Sequence, residues 1–70
     1  MTPKQIKEIR LKARLSQAGL AEVFDTHPMT ISKWERGERT PDGAAVAALK
    51  AIRWAVKEGK AEELLDAFRR

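Results

Sequence analysis

Cysteine is absent from this sequence of 70 residues, and histidine occurs only once. Without a thiol the chain cannot form disulfide bonds or thiolate metal sites, and a reducing compartment suits it. A single histidine does not supply the ligands of a zinc site, and the sequence has no glycine-rich phosphate loop. We therefore expect no cofactor.

Long apolar runs are also missing. No stretch has the length that a membrane span requires, and the first ten residues, MTPKQIKEIR, lack the apolar centre of a signal peptide. These absences predict a cytoplasmic protein that does not engage a membrane. At this length we expect one domain over residues 1–70, with no appended catalytic or effector-binding module.

The sequence lacks the residue combinations that enzymes use. Ser16, Ser32 and His27 are too few, and too close together in the chain, to suggest a nucleophile with its base and orienting group. No acidic pair marks a recognisable cleft. We therefore expect a protein that is not an enzyme.

The sequence does contain a surplus of positive charge. Its 14 Lys and Arg residues exceed its 10 Asp and Glu residues, which gives a formal net charge of +4. Residues 1–40 carry eight basic and five acidic residues, whereas residues 41–70 carry six and five. The surplus therefore lies mainly in the first part of the chain, where it favours a polyanionic partner such as double-stranded DNA.

The stretch from Ser16 to Gly37, SQAGLAEVFDTHPMTISKWERG, carries the strongest structural signal. Two short amphipathic segments, residues 17–24 and 28–36, flank a polar break that is too short for any layout except two helices packed at a steep angle. This pattern predicts a helix-turn-helix. Asp25 stands in the break where the chain needs a left-handed residue.

A first helix is predicted to begin at a capping box formed by Thr2 and Gln5, with Pro3 in its first position. Its apolar face comprises Ile6, Ile9 and Ala13, with Leu11 and Leu15 at the edges. Its water-facing side comprises Lys4, Lys7, Lys12 and Arg14. Arg10 lies beside the apolar face and needs a partner. Glu35, on the flank of the third helix, is the natural one, so we expect a partly buried ion pair.

The second helix is predicted to start at Ser16 as its N-cap. The amide of Gln17 then lies at the helix start, where free backbone N–H groups and the helix dipole favour a phosphate. Either Thr26 or His27 is expected to cap the third helix. Both are also candidate phosphate contacts, and the alternative for His27 is a solvated loop side chain.

In the third helix Ile31 and Trp34 are predicted to face the core, which turns the remaining side chains outward. Lys33 can then donate to guanine O6 and N7, whereas Met29 either meets a thymine methyl or is partly buried beside Phe24. The outward side chains can reach base edges and phosphates once the helix lies in a major groove; they are Met29, Thr30, Ser32, Lys33 and Arg36. Further phosphate contacts are expected from Arg14, Arg36 and Arg39, of which at least one is only a surface charge.

The fourth helix, roughly residues 43–58, is predicted to lie between an Asp42 cap and a terminating Gly59. One face completes the core, and an opposite apolar stripe comprises Ala44, Ala47, Ala51 and Trp54. A fifth helix, residues 60–70, either covers that stripe or meets a copy of itself. Residues 43–70 are therefore the predicted dimerisation part. The surface assigned to a partner comprises Ala47, Ala51, Trp54, Leu65 and Phe68.

Taken together, these residues resemble the Cro and repressor type of helix-turn-helix, also called XRE-like. The resemblance covers about half the chain at the level of motifs. It rests on Ile6, Ile9 and Arg10, on Leu15-Ser16-Gln17 with Leu20-Ala21, and on Ile31-Ser32-Lys33-Trp34-Glu35-Arg36-Gly37 with Pro41. The sequence departs from the pattern where Gly19 replaces a common Glu, Asp25 replaces the usual turn glycine, and Pro28 replaces a polar residue that contacts DNA.

The resemblance implies an all-α, compact five-helix, lambda-repressor-like DNA-binding domain, with the helix-turn-helix at helices 2 and 3. It also implies a homodimer on a two-fold operator, usually as a repressor. The resemblance further implies that Arg10 and Glu35 form the structural ion pair and that Gln17 fixes the helix start against a phosphate. The base-reading residues that it implies are Met29, Thr30, Ser32 and Lys33. An alternative is an antitoxin of this fold, which binds a toxin through helices 4 and 5 and autoregulates its operon. The apolar face around Trp54 suits either kind of partner.

Overall fold

The structure, a computed structural model, describes residues 1–68, which form five helices and no strand. The helices are α1 (Pro3–Lys12), α2 (Gln17–Val23), α3 (Pro28–Glu35), α4 (Gly43–Lys57) and α5 (Ala61–Phe68). The predicted all-α fold with five helices is therefore confirmed. The predicted fifth helix also included Arg69 and Arg70, which lie outside the described residues. Over residues 1–68, no helix combines the length and the apolar character needed to cross a membrane.

The first four helices each begin at a side chain that accepts a hydrogen bond from a backbone N–H of the first turn. These caps are Thr2, Ser16, His27 and Asp42. In α1 the bond is reciprocal, because the N–H of Thr2 donates to Gln5 Oε1 at 2.8 Å and completes the predicted capping box. His27 Nδ1 accepts the N–H of Met29 at 3.1 Å, so His27, and not Thr26, caps α3.

The same four helices also end alike, in a Schellman motif. The second residue after each helix has a positive φ and donates its N–H to the carbonyl three residues back, while the next N–H bonds five residues back. These left-handed residues are Arg14 (φ 60°), Asp25 (50°), Gly37 (74°) and Gly59 (71°). The left-handed conformation predicted for Asp25 is confirmed. Arg14 is exposed, as expected, but it lies beyond the end of α1 and not on the surface of that helix.

The core lies where the first four helices meet, and α5 closes it. Its largest fully buried side chains are Ile6, Leu20, Ile31, Leu49 and Ile52, so each of α1 to α4 contributes. At the end of α1, Leu15 joins the core with 9% of its surface exposed, whereas Leu11 is 55% exposed. Leu11 was expected at the edge of the apolar face and instead points to solvent.

The assignment of Leu65 to a partner surface is wrong. Leu65 is only 5% exposed and belongs to the core of its own chain. The left-handed turn at Gly59 sends α5 back toward the end of α1, where Leu65 lines a shallow groove together with Ala13 and Leu15. Phe68, three residues further on, remains 42% exposed.

The second apolar stripe of α4 stays uncovered. Trp54 is 55% exposed, and Ala44, Ala47 and Ala51 are exposed as well. The Nζ atom of Lys60 lies 6.0 Å from the centre of the Trp54 ring, a distance at which a cation interacts weakly with the π-system. Of the two roles expected for α5, covering this stripe is therefore excluded.

Candidate nucleic-acid interface

The orientation of α3 is fixed by two buried side chains. Ile31 is fully buried and Trp34 is 6% exposed, as their spacing of three residues predicts. The ring of Trp34 also packs against Phe24 at the end of α2, edge to face, with centroids 5.4 Å apart and an interplanar angle of 83°. Because these contacts hold one side of α3, the opposite side must face solvent.

The outward face of α3 is formed by Met29 and Lys33, and it is continued by Arg36, the C-cap, whose backbone is still right-handed helical. All three are exposed, and Met29 is 51% exposed, so the alternative in which it is buried beside Phe24 is not the one observed. At 100° per residue the three side chains leave the helix within about 60° of one another. They form one continuous strip that is free to meet a ligand.

Thr30 and Ser32, also predicted to read bases, do not lie on that strip. Both are half-buried on its two sides. The hydroxyl of Thr26 donates to the hydroxyl of Thr30 at 3.4 Å, which turns Thr30 toward the loop before α3. Ser32 Oγ accepts a short hydrogen bond from Nη1 of Arg36. The expectation that all four residues point outward is therefore wrong for Thr30 and Ser32.

Arg36, a predicted phosphate contact, is held by its own chain. Its Nε and Nη2 atoms each lie 2.6 Å from Oε2 of Glu38, and the two side chains are 52% and 56% exposed. The sequence reasoning missed Glu38. Helical spacing gave no signal for it, because Glu38 follows the left-handed Gly37 and its direction is set by that turn.

Arg10 and Glu35 form the ion pair that their positions predict. Arg10 Nε donates to Glu35 Oε2 at 2.7 Å and Nη2 donates to Oε1 at 3.1 Å, while the side chains are only 11% and 5% exposed. Nη1 of Arg10 donates to the carbonyl of Leu15 at 3.0 Å. Gln17 Nε2 also donates to Glu35, at 3.4 Å, so its amide is turned toward the ion pair in the free protein. The pair therefore joins α1, α2 and α3.

The other predicted phosphate contacts are spread over the surface. His27 is exposed, and because its Nδ1 accepts a hydrogen bond, the neutral ring carries its proton on Nε2 as a donor. Arg39 is exposed just after α3, on the wall of a shallow pocket that Thr30 also lines. Arg14 instead borders the groove beside α5, together with Glu62. The structure therefore brings His27 and Arg39 close to α3 but places Arg14 with α5.

The exposed strip of Met29, Lys33 and Arg36 carries one thioether and two cationic hydrogen-bond donors. Over residues 1–68, no three His, Cys, Asp or Glu side chains are grouped as a metal ion would require. Every buried side-chain nitrogen or oxygen in that range has a hydrogen-bond partner. The exposed strip of α3 can therefore donate to acceptors on base edges or phosphates, and Met29 adds an apolar contact.

Comparisons with known proteins agree with this geometry. A family model described as helix-turn-helix matches residues 6–49, a range that contains most of α1, all of α2 and α3, and part of α4. The antitoxin HigA-2 of Vibrio cholerae serotype O1 (strain ATCC 39315 / El Tor Inaba N16961) is 33% identical over 52 residues. The aligned part is 74% of this chain and 50% of the antitoxin, so the chain spans about half of that relative. No solved structure shows a significant match.

Proposed function

Because the chain belongs to the helix-turn-helix family of DNA-binding transcription regulators, we propose that it represses transcription as a homodimer bound to promoter DNA. In this proposal α3 of each protomer lies in the major groove of one half of a two-fold symmetric operator. Repression follows from occupancy of the promoter.

The outward face of α3 is the observation that supports this proposal most directly. Lys33 can donate to guanine O6 and N7, and Met29 can pack against a thymine methyl. Both side chains are exposed on the side opposite the buried Ile31 and Trp34. Thr30 is half-buried beside this face, so we propose that it contributes at its edge, whereas Ser32, half-buried on the other side, accepts a hydrogen bond from Arg36.

Phosphate contacts are proposed at both ends of the helix-turn-helix. Gln17 and His27 lie at the starts of α2 and α3, where backbone N–H groups favour an anion, and Thr26 lies in the turn between them. Arg39 adds a cation after α3. Arg14 is the weakest member of this set, because it borders the groove beside α5.

Dimerisation is proposed to use residues 43–70, and in particular the uncovered face of α4. Ala47 and Ala51 allow close approach of a second helix, and Trp54 supplies a large apolar side chain that is 55% exposed. Phe68, at the end of α5 and 42% exposed, is proposed as a further apolar contact. Leu65 is not part of this surface, since it lies in the core.

A randomised duplex library, selected at two salt concentrations, tests the proposal. Selection with the wild type is expected to enrich a palindromic site. Lys33→Ala is expected to weaken the base preference at one position in each half-site and to reduce the binding free energy by roughly 1–3 kcal/mol. Lys7→Ala, at an exposed lysine of α1, is the matched control and should leave the base preferences unchanged. Binding that falls with salt equally for all sequences, with no enriched site, would contradict the proposal.

A second candidate function is that of an antitoxin. It is favoured by the similarity to an antitoxin and by the exposed Trp54 face, which suits a protein partner as well as a second copy. In this case a small adjacent open reading frame should encode a toxic protein that co-expression of the chain neutralises. Ala51→Glu, on the same face, should abolish that neutralisation while monomers still bind DNA. Lack of any toxic neighbour, together with an operator facing an opposing regulator, would instead favour a phage-type switch.

A further inference from the structure

Arg36 lies in the outward face of α3 but is clamped by two neighbours. We propose that Arg36 reads a guanine, and that Ser32 and Glu38 are positioning residues that hold its guanidinium for this purpose. The inference rests on the proposed function, because it requires α3 to lie in the major groove. It replaces the phosphate contact expected for Arg36 and the base-reading role expected for Ser32.

The direction of the Arg36 side chain favours a base contact. Arg36 is the C-cap of α3 and follows Met29 by seven residues, so the two side chains point within about 20° of each other, along the midline of the exposed strip. The midline of a helix in the major groove faces the base edges, whereas the phosphates lie toward its flanks and ends. Because Arg36 lies about 10 Å beyond Met29, at the end of the helix, its direction favours a base and its location along the axis favours a phosphate, and the charge of its surroundings decides between them.

The hydrogen bonds of Arg36 leave a suitable pair of donors. A guanidinium has five N–H donors. Within residues 1–68, Nε and one Nη2 hydrogen face Glu38 Oε2, at N···O distances of 2.6 Å, and one Nη1 hydrogen faces Ser32 Oγ. Two donors remain, one on each Nη nitrogen. A guanidinium that donates from both Nη nitrogens can satisfy the O6 and N7 acceptors that guanine presents in the major groove.

The charge balance also distinguishes a base contact from a phosphate contact. With the carboxylate of Glu38 at 2.6 Å, the Arg36–Glu38 pair has no net charge. A neutral pair gains little from the long-range attraction of phosphates and displaces few counterions. The two remaining N–H groups keep their full ability to hydrogen-bond, and the clamp fixes their direction.

The test is selection from the randomised duplex library with the full chain and two variants, followed by titration of the enriched duplex at several salt concentrations. Arg36→Ala should lose the preference for one guanine in each half-site, by about fivefold or more, at a position different from the one that Lys33→Ala blurs. It should leave the salt slope almost unchanged. Glu38→Gln should weaken the same guanine preference and steepen the salt slope by about one, because the freed cation then contacts a phosphate.

Glu8→Gln, at an exposed acid of α1, controls for the change in net charge, and thermal unfolding confirms that each variant is folded. If Arg36→Ala lowers the salt slope by about one and leaves the base preferences intact, Arg36 is a phosphate contact and the inference is overturned. It is also overturned if Glu38→Gln raises affinity equally for all sequences, since Glu38 then only neutralises Arg36. Failure of the wild type to enrich any site would overturn the proposed function itself, and this inference with it.

Discussion

Two residues adopt a backbone conformation that their side chains disfavour. Asp25 and Arg14 have φ values of 50° and 60° at helix ends where Gly37 and Gly59 do the same without a Cβ penalty. A left-handed conformation costs an ordinary residue about 1–2 kcal/mol, and aspartate somewhat less. The helix-turn-helix is therefore built with local strain in the turn between its two helices.

Replacing Asp25 by glycine should stabilise the domain by about 0.5–1 kcal/mol, because the strain in the turn is removed. Urea unfolding followed by circular dichroism measures the change. Gly37→Ala is the matched control with the opposite sign, and it should destabilise by about 1 kcal/mol. A Cβ there would meet only Pro3 Cγ, at an ordinary 3.5 Å, so the backbone conformation is the main cost. Equal effects of the two substitutions would contradict this account.

Removing only one partner of the Arg10–Glu35 pair should lower the free energy of unfolding by more than half of what the pair contributes, because the other charge is then left without its partner. Arg10→Met leaves Glu35 charged at a site where its side chain is 5% exposed, and it also removes a donor to the carbonyl of Leu15. We expect each of Arg10→Met and Glu35→Leu to cost about 3–5 kcal/mol, and the double variant to cost clearly less than their sum.

That cost approaches the total free energy of unfolding expected of a domain this small. The two single variants and the double variant are therefore best compared in the Asp25→Gly background, which is expected to be more stable. Additive costs in urea unfolding would mean that the two side chains act independently. In that case the pair does not hold α1 against α3.

Several of these residue roles could be predicted from the sequence, and others could not. The position of Arg10 beside an apolar face required a partner, and Glu35 was the acid within reach. The left-handed conformation of Arg14 could not be predicted from the sequence, because arginine has no preference for it. The contact between Arg36 and Glu38 could not be predicted either, because it depends on the direction in which the chain leaves Gly37.

The helices themselves follow closely from local signals. Caps and apolar spacing predicted the starts of α1, α2 and α4 to the residue and left the cap of α3 open between Thr26 and His27, since these signals depend on near neighbours. For α5 the spacing identified the apolar residues but not what they meet. Leu65 and Phe68 lie on nearly the same side of a helix, and only the angle at which α5 returns to the core decides which of them is buried.

Truncating the two apolar residues of α5 should separate these roles. Leu65→Ala is expected to destabilise the domain by about 2–4 kcal/mol, because it empties a core position that is 5% exposed. Phe68→Ala, at a position that is 42% exposed, should change the stability of the monomer by less than about 1 kcal/mol. Thermal unfolding at low protein concentration provides the comparison. A larger loss for Phe68→Ala would show that Phe68, and not Leu65, anchors α5.

For the whole molecule, the exposed side of α4 is the feature that points to assembly. Ala51→Glu should shift the protein toward monomers in sedimentation experiments and weaken binding to a two-half-site duplex more than to a single half-site. Ala51 is exposed, so unfolding of the monomer should change by only about 0.5 kcal/mol.

Lys57→Glu, elsewhere on α4, is the charge-changing control. If Ala51→Glu leaves both the oligomeric state and the relative affinities unchanged, this face is not the dimer interface.

The separation between the two sides of α3 has an evolutionary consequence. Ile31 and Trp34 hold the helix in the core, whereas Met29, Lys33 and Arg36 point away from it. Substitutions on the outward side can therefore accumulate with little effect on folding, since exposed positions seldom change stability by more than about 0.5 kcal/mol. Descendants of this chain can therefore acquire new binding preferences through changes on the outward side while the fold stays the same. Duplicated copies can diverge in the same way without passing through variants that fail to fold.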